Sequence, residues 1–304
     1  MTMDQLFNLL GVVLKVSLVI FMVGNLLDMG LRLKLREALR ALRNVRFVVL
    51  SVLWGFVLCP ALAYLLTKVI PLDQPYAIGM VLLGMTPCAP FLIVMVDKAR
   101  GDLAYAAAFM LLASVVTVVY MPFAVPVMVK GLTASAWTIA KPLLFFLLVP
   151  LVIGLAIQRA SAPVTARLEP VVKKVTGLDT LLMLLLCIVV YGKDFISAMG
   201  SYAFGTQILF FAIATAASYG LSFGLPQTQK SVLALGMATR NLGAAFAPLF
   251  AIADVDQHAI VMVAIGVPMQ TIASLVAARW FARRASICEA EAAKADAHTE
   301  GPRE

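Results

Sequence analysis

The sequence predicts an all-α polytopic membrane protein of about nine transmembrane helices, on three observations. First, hydrophobic residues make up 62% of the 304-residue chain and charged residues 13%. A soluble domain carries roughly a quarter charged residues, so there is too little polar surface here to wrap a water-soluble globule. Second, the apolar residues come in runs of about twenty, the length that crosses roughly 30 Å of hydrocarbon as a helix. These runs do not alternate as the strands of a membrane barrel would. Third, the Lys and Arg residues fall between the runs and mostly on one side.

The runs place spans at 6–27, 47–69, 76–96, 103–128, 138–158, 178–200, 205–225, 230–252 and 257–281. The first has no basic lead and no small-residue cleavage site, so it reads as a span and not a cleaved signal. Of the 24 Lys and Arg residues, 18 fall on one side of this arrangement and 4 (Lys68, Lys130, Lys141, Lys193) on the other, with Lys15 and Arg240 inside spans. The positive-inside rule then puts the N-terminus outside and the C-terminus in the cytoplasm of a cell (inner or plasma) membrane. It also accounts for the net charge of +8 without nucleic acid. Four widely spaced cysteines, with no C-x-x-C pair, imply neither a disulfide framework nor a zinc site.

Residues 1–284 read as a single transmembrane domain, with halves at roughly 1–130 and 138–284. Residues 285–304 read as a soluble, disordered tail. The segment from Asp28 to Phe47 is either a basic cytoplasmic loop or an amphipathic helix on the inner surface.

Two spans carry chemistry foreign to hydrocarbon. Span 3 contains Gly84-Met85-Thr86-Pro87-Cys88-Ala89-Pro90, whose two prolines remove two backbone donors and disfavour helix before them. Unwound backbone is tolerated at membrane depth where it faces protein or a water-filled cavity. Span 8 contains Gly236-Met237-Ala238-Thr239-Arg240-Asn241-Leu242-Gly243, 152 residues further on and running the opposite way. Matching interruptions in two halves point to an inverted repeat with a midplane site.

Arg240 is the sharpest residue. A mid-membrane arginine costs roughly 2.5–3.5 kcal/mol on insertion scales and normally faces a cavity or a partner. Ten residues, about 15 Å of helix, separate it from Lys230, too far to snorkel. Every acidic residue falls at a predicted span end or in a loop, so its partners are carbonyls, water or a visiting anion. Thr239 and Asn241 flank it, and Ser114, Thr117, Gln270 and Thr271 are further candidate cavity liners. Each of these four also has a bland alternative, a bond within its own or a neighbouring helix. Asn25 has no assigned role.

Four segments resemble the bile acid:sodium symporter-like superfamily. They are Met29-Gly30-Leu31-Arg32-Leu33, Pro87 twelve residues before Ala99-Arg100-Gly101-Asp102, Pro150-Leu151-Val152-Ile153-Gly154, and Thr239-Arg240-Asn241. The resemblance implies two inverted five-helix repeats (here without the first helix), a core moving against a panel, and two broken helices crossing at the binding site. Sodium-coupled members carry Ser-Asn where this chain has Leu92 and Ile93. Their glutamate and glutamine become Gly236, or Leu235 in an ungapped register, and Arg240. The familiar sodium ligands are therefore absent. The arsenite efflux branch offers a rival resemblance: Cys88 lies thirteen residues before Gly101-Asp102, and T-R-N is followed by Pro248-Leu249, but Pro90 and Phe91 depart from its motif.

The expected function is secondary transport of a small organic anion by alternating access. Arg240, Asn241, Thr239, Pro87, Cys88, Pro90, Ser114, Thr117 and Gln270 are the candidate contacts, with no cofactor and no metal. Arsenite efflux through the Cys88 thiol and a non-transporting receptor or channel are the alternatives. With only His258 and His298 and no H-E-x-x-H, enzymatic metal chemistry has no support. Oligomeric state is not legible.

Overall fold

The computed structural model describes residues 3–129, 135–250 and 255–299, and among these it contains helices and no strand. The helices are α1 (Met3–Arg32), α2 (Leu35–Ala41), α3 (Val45–Val69), α4 (Gln74–Gly84), α5 (Leu92–Lys98), α6 (Leu103–Met128), α7 (Ala136–Ala160), α8 (Ala162–Val190), α9 (Gly192–Gly200), α10 (Ala203–Gly220), α11 (Gln227–Ala238), α12 (Leu242–Phe250) and α13 (Gln257–Thr299). Lys130, Asp254 and Arg303, and residues 300–304 of the tail, lie outside the described residues.

Six helices (α1, α3, α6, α7, α10 and α13) are long and apolar enough to cross a bilayer unbroken, and α8 with α9 makes a seventh as a pair bent by 81°. The segments of the other two expected spans fold as the interrupted pairs α4–α5 and α11–α12, none of whose helices is long enough to cross a bilayer unbroken. Large apolar side chains such as Val16, Val57, Phe123, Val152, Leu181 and Val276 are exposed on the outer faces, where lipid takes the place of water.

Prolines shape the unbroken helices. α3 and α7 each contain one π-helical turn, Trp54–Leu58 and Leu144–Leu148. Each turn ends two residues before a proline, Pro60 or Pro150. A proline has no N–H for the carbonyl one turn back and its ring crowds that carbonyl; a single π-turn absorbs the mismatch without breaking the helix.

Glycines set the crossings. A Cβ on Gly30 of α1 would lie 2.9 Å from the Gly154 Cα of α7 and 2.5 Å from the Leu151 carbonyl. The Met29-Gly30-Leu31 and Pro150…Gly154 motifs are thus the two sides of one close helix contact. In the Ala99-Arg100-Gly101-Asp102 turn, Arg100 takes φ +54° and the Asp102 carboxylate accepts from the Ala104 and Tyr105 amides, capping α6. α2 is a short helix with Ala38 and Ala41 buried and Leu39 exposed, packed on α6.

Two expectations are corrected. Residues 159–177, taken as a loop, are largely the first half of α8, capped by the Ser161 hydroxyl on the Val164 amide. The helix there is polar and so leaves no apolar run to detect. Residues 285–299, expected to be disordered, continue α13; their Ala, Glu and Lys are strong helix formers. Arg100 reaches this extension through Ser286 and Glu289.

Candidate functional site

The helix breaks meet. α4 stops at Gly84 and α11 at Ala238, and the chains between them and their continuations pair through an antiparallel bridge between Pro87 and Arg240. The Cys88 amide donates to the Gly236 and Thr239 carbonyls at 3.1 and 3.0 Å, the Asn241 amide to the Thr86 carbonyl at 2.9 Å, and the Ala89 amide to the Thr239 hydroxyl at 3.2 Å. Each break thus supplies the backbone partners the other has lost, as burial requires. Cys88 takes φ +70° in this arrangement, a left-handed conformation that non-glycine residues rarely hold.

Arg240 is fully buried. Its Nη2 donates to the Met237 carbonyl at 3.0 Å and its Nη1 lies 3.5 Å from the Gly84 carbonyl. The guanidinium therefore sits at the C-terminal ends of both half-helices, where the unpaired carbonyls and helix dipoles concentrate negative potential. The Phe210 ring covers it, with Cζ 4.8 Å from the ring centroid. Its Nε has no acceptor among the described residues, and none of the ion pairs found there involves Arg240.

In front of the crossing lies a cavity of about 160 Å³, close to the roughly 150 Å³ that holds one benzene. Ala89, Pro90, Arg240, Asn241, Gln270 and Thr271 form its wall on the crossing side; Phe21, Met22 and Asn25 of α1 and Thr180 of α8 face them.

The polar groups are oriented by their own bonds. The Asn241 Oδ1 accepts from the Ala244 amide and the Gln270 Oε1 from the Arg240 amide. Both amide oxygens are thereby occupied, and neither NH₂ has a protein acceptor among the described residues. The Leu242 and Gly243 amides, at the first turn of α12, likewise bond no protein acceptor there, as helix N-termini dictate. The crossing side is therefore rich in donors. Across the cavity, Asn25 donates its Nδ2 to the Phe21 carbonyl, which leaves its Oδ1 as an acceptor.

Of the sequence candidates, Pro90, Arg240, Asn241, Gln270 and Thr271 line the cavity. Pro87, Cys88 and Thr239 form the bridge beside it, and the Cys88 thiol lies 3.9 Å from the Ala89 carbonyl. Ser114 and Thr117 are buried on α6 and do not reach the cavity; Ser114 bonds the Met110 carbonyl of its own helix. Leu92 and Ile93 start α5 without side-chain oxygens. Sequence reasoning missed Thr180 and left Asn25 without a role. The polarity of Asn25 in an apolar run was a signal, but nothing in the sequence says that α1 and α8 face the breaks.

No curated protein sequence matches the chain. The family described as Sodium Bile acid symporter family matches residues 18–198, more than half of the chain, from α1 through the first broken pair and into α9. Members of that family are secondary transporters and not enzymes. The match, with the apolar helices and the crossed breaks, shows that this multi-pass membrane protein belongs to the sodium bile acid symporter family.

Proposed function

We propose that the protein carries a small organic anion by alternating access, without sodium at the crossing. Arg240 carries this reading. Its guanidinium occupies the carbonyl-rich point where two half-helix C-termini converge, the place that would attract a cation, and among the described residues no carboxylate pairs with it. The negative ends of the half-helices are thereby neutralised, while the N-terminal turn of α12 and the NH₂ groups of Asn241 and Gln270 present positive potential to the cavity. A carboxylate or sulfonate of about six non-hydrogen atoms suits its volume, with its charged end on the crossing side and a hydroxyl or N–H toward Asn25. The antiparallel bridge supports an inverted repeat. The positive-inside bias supports a cytoplasmic C-terminus, and the nine expected spans fit the helices and helix pairs in order.

The test is thermal stabilisation of the purified protein by small carboxylates, sulfonates or arsenite, each with and without sodium. The expected result is stabilisation by a carboxylate or sulfonate irrespective of sodium, weakened in Asn25→Leu. Sodium-dependent stabilisation would overturn the reading, and stabilisation by arsenite alone, lost in Cys88→Ser, would replace it.

A further inference from the structure

Asp179 is a buried acid that the transport reading does not use. It lies within α8, ten residues and about 15 Å of helix from Glu169, whose neighbour Arg32 marks the basic end of α1. It is 7% exposed. The Ser17 hydroxyl of α1 donates to its Oδ1 at 2.8 Å, and its Oδ2 is buried with no partner among the described residues. Thr180, the next residue, lines the cavity.

The charged groups around it, among the described residues, leave the acid without a counter-ion. On α1, Lys15 is exposed and turned about 200° from Ser17, while Asp28 and Arg32 pair with one another. On α8 itself, Arg167, Glu169, Lys173 and Lys174 lie toward the basic end. The neighbouring helices carry Lys141 and Arg159 on α7, Lys193 and Asp194 on α9, and His258, Arg279, Arg283, Arg284, Glu289 and Glu291 among the residues of α13; His258 is paired with Asp194. No ion pair among the described residues includes Asp179.

We infer that Asp179 is a proton-binding site whose occupancy sets the packing of α1 against α8 and so couples a proton to movement of the anion. The inference rests on the transport reading. An ionised carboxylate with an unpaired oxygen is costly away from water; a proton on Oδ2, taken from water on one face and released to water on the other, removes that cost. The charges then balance. The empty carrier holds Arg240 positive and Asp179 negative. The loaded carrier holds Arg240 positive, the anion negative and Asp179 neutral. Both carry no net charge among these groups, so both can rearrange.

The test needs no knowledge of the substrate. Asn25→Cys, in a background with Cys59, Cys88, Cys187 and Cys288 replaced, reports opening of the cavity through its rate of alkylation in proteoliposomes, divided at each pH by the rate for the same cysteine in the unfolded protein so that the thiolate's own pH dependence cancels. With Asp179 present, the rate is expected to change at least fivefold between about pH 5 and about pH 8. In Asp179→Asn it should be independent of pH and match the acid-side rate; Asp179→Glu should keep the dependence with a displaced midpoint. A pH dependence that survives in Asp179→Asn, or a flat profile with Asp179 present, overturns the inference. If the profile behaves as expected while no anion stabilises the protein, the proton site stands and the solute assignment fails.

Discussion

Replacing Arg240 by alanine removes the charge that closes the crossing. The bond to the Met237 carbonyl at 3.0 Å is charge-assisted, and losing it leaves a buried carbonyl unsatisfied, at about 1.5–3 kcal/mol. The Gly84 contact at 3.5 Å is long and adds a fraction of that. The covered face of Phe210 contributes about 2 kcal/mol where water is excluded. Relief of burying an unpaired cation offsets little, because the separated helices also lie in hydrocarbon and gain no aqueous refuge for it. The net expectation is a loss of about 3–4 kcal/mol, read as a fall of several degrees in apparent melting temperature. The decisive measurement is rescue. Methylguanidinium or sodium added to Arg240→Ala should rebind between the two carbonyls and restore part of the stability, by up to about 2.7 kcal/mol at a hundred times its dissociation constant. Arg240→Lys should fall between, since a single ammonium lacks the fork that reaches both carbonyls. A variant as stable as the parent, or one that folds and ignores both cations, would refute the view that the guanidinium acts as a tethered cation.

Three further outcomes are expected. Gly236→Ala would put a Cβ 1.9 Å from the Phe109 Cε1; Phe109 is fully buried, so the half-helix must move, and ligand-induced stabilisation should disappear along with about 1–3 kcal/mol of stability. Gly154→Val should separate α1 from α7, lowering the yield of folded protein, whereas Gly177→Val, with open space at its Cβ, should be silent in the same assay. At the start of α13, desolvation acts to raise the Asp256 carboxyl, but the His258 amide and ring bonds and its charge outweigh this and hold it below its ordinary 3.8. Its contribution is complete above that value and is lost as pH falls through the lower, folded one; in a stability–pH profile, Asp256→Asn should flatten that acid limb.

The two breaks are legible in the sequence because their signals are local. Two prolines and an arginine inside apolar runs violate helix and hydrocarbon rules at the residues themselves, so both breaks were legible. The cavity was not, because it is a property of which helices face the breaks. Arg240, Asn241, Gln270 and Thr271 stand out by their own polarity, and Pro90 by the backbone donor it removes. Ser114 and Thr117 are equally polar, but α6 turns them into packing, and Thr180 lay at the edge of a span with nothing to set it apart. Asp179 was misplaced for a related reason. The charged stretch 159–177 looked like a loop, which put Asp179 at a span end, although the helix runs on from Ala162 and carries the acid into contact with Ser17.

A tethered cation changes what must drive the carrier. Sodium can leave; the Arg240 guanidinium cannot, so in the proposed cycle an anion held near it has no departing ion to release it. If Asp179 titrates, the half-loaded carriers are the informative species. Anion without proton leaves a net negative charge among these groups, and proton without anion a net positive one. Either must be moved through low dielectric, so both rearrange slowly and uncoupled leak is small. Asp179→Asn separates the two halves of the cycle. Its loaded form is neutral, as in the parent, so exchange of internal for external anion should persist. Its empty form keeps the Arg240 charge uncompensated, so the unloaded return should slow, and net uptake should fall at least tenfold while exchange changes less than twofold. Equal loss of both would assign Asp179 to structure, and equal retention would leave the proton with no part in the cycle.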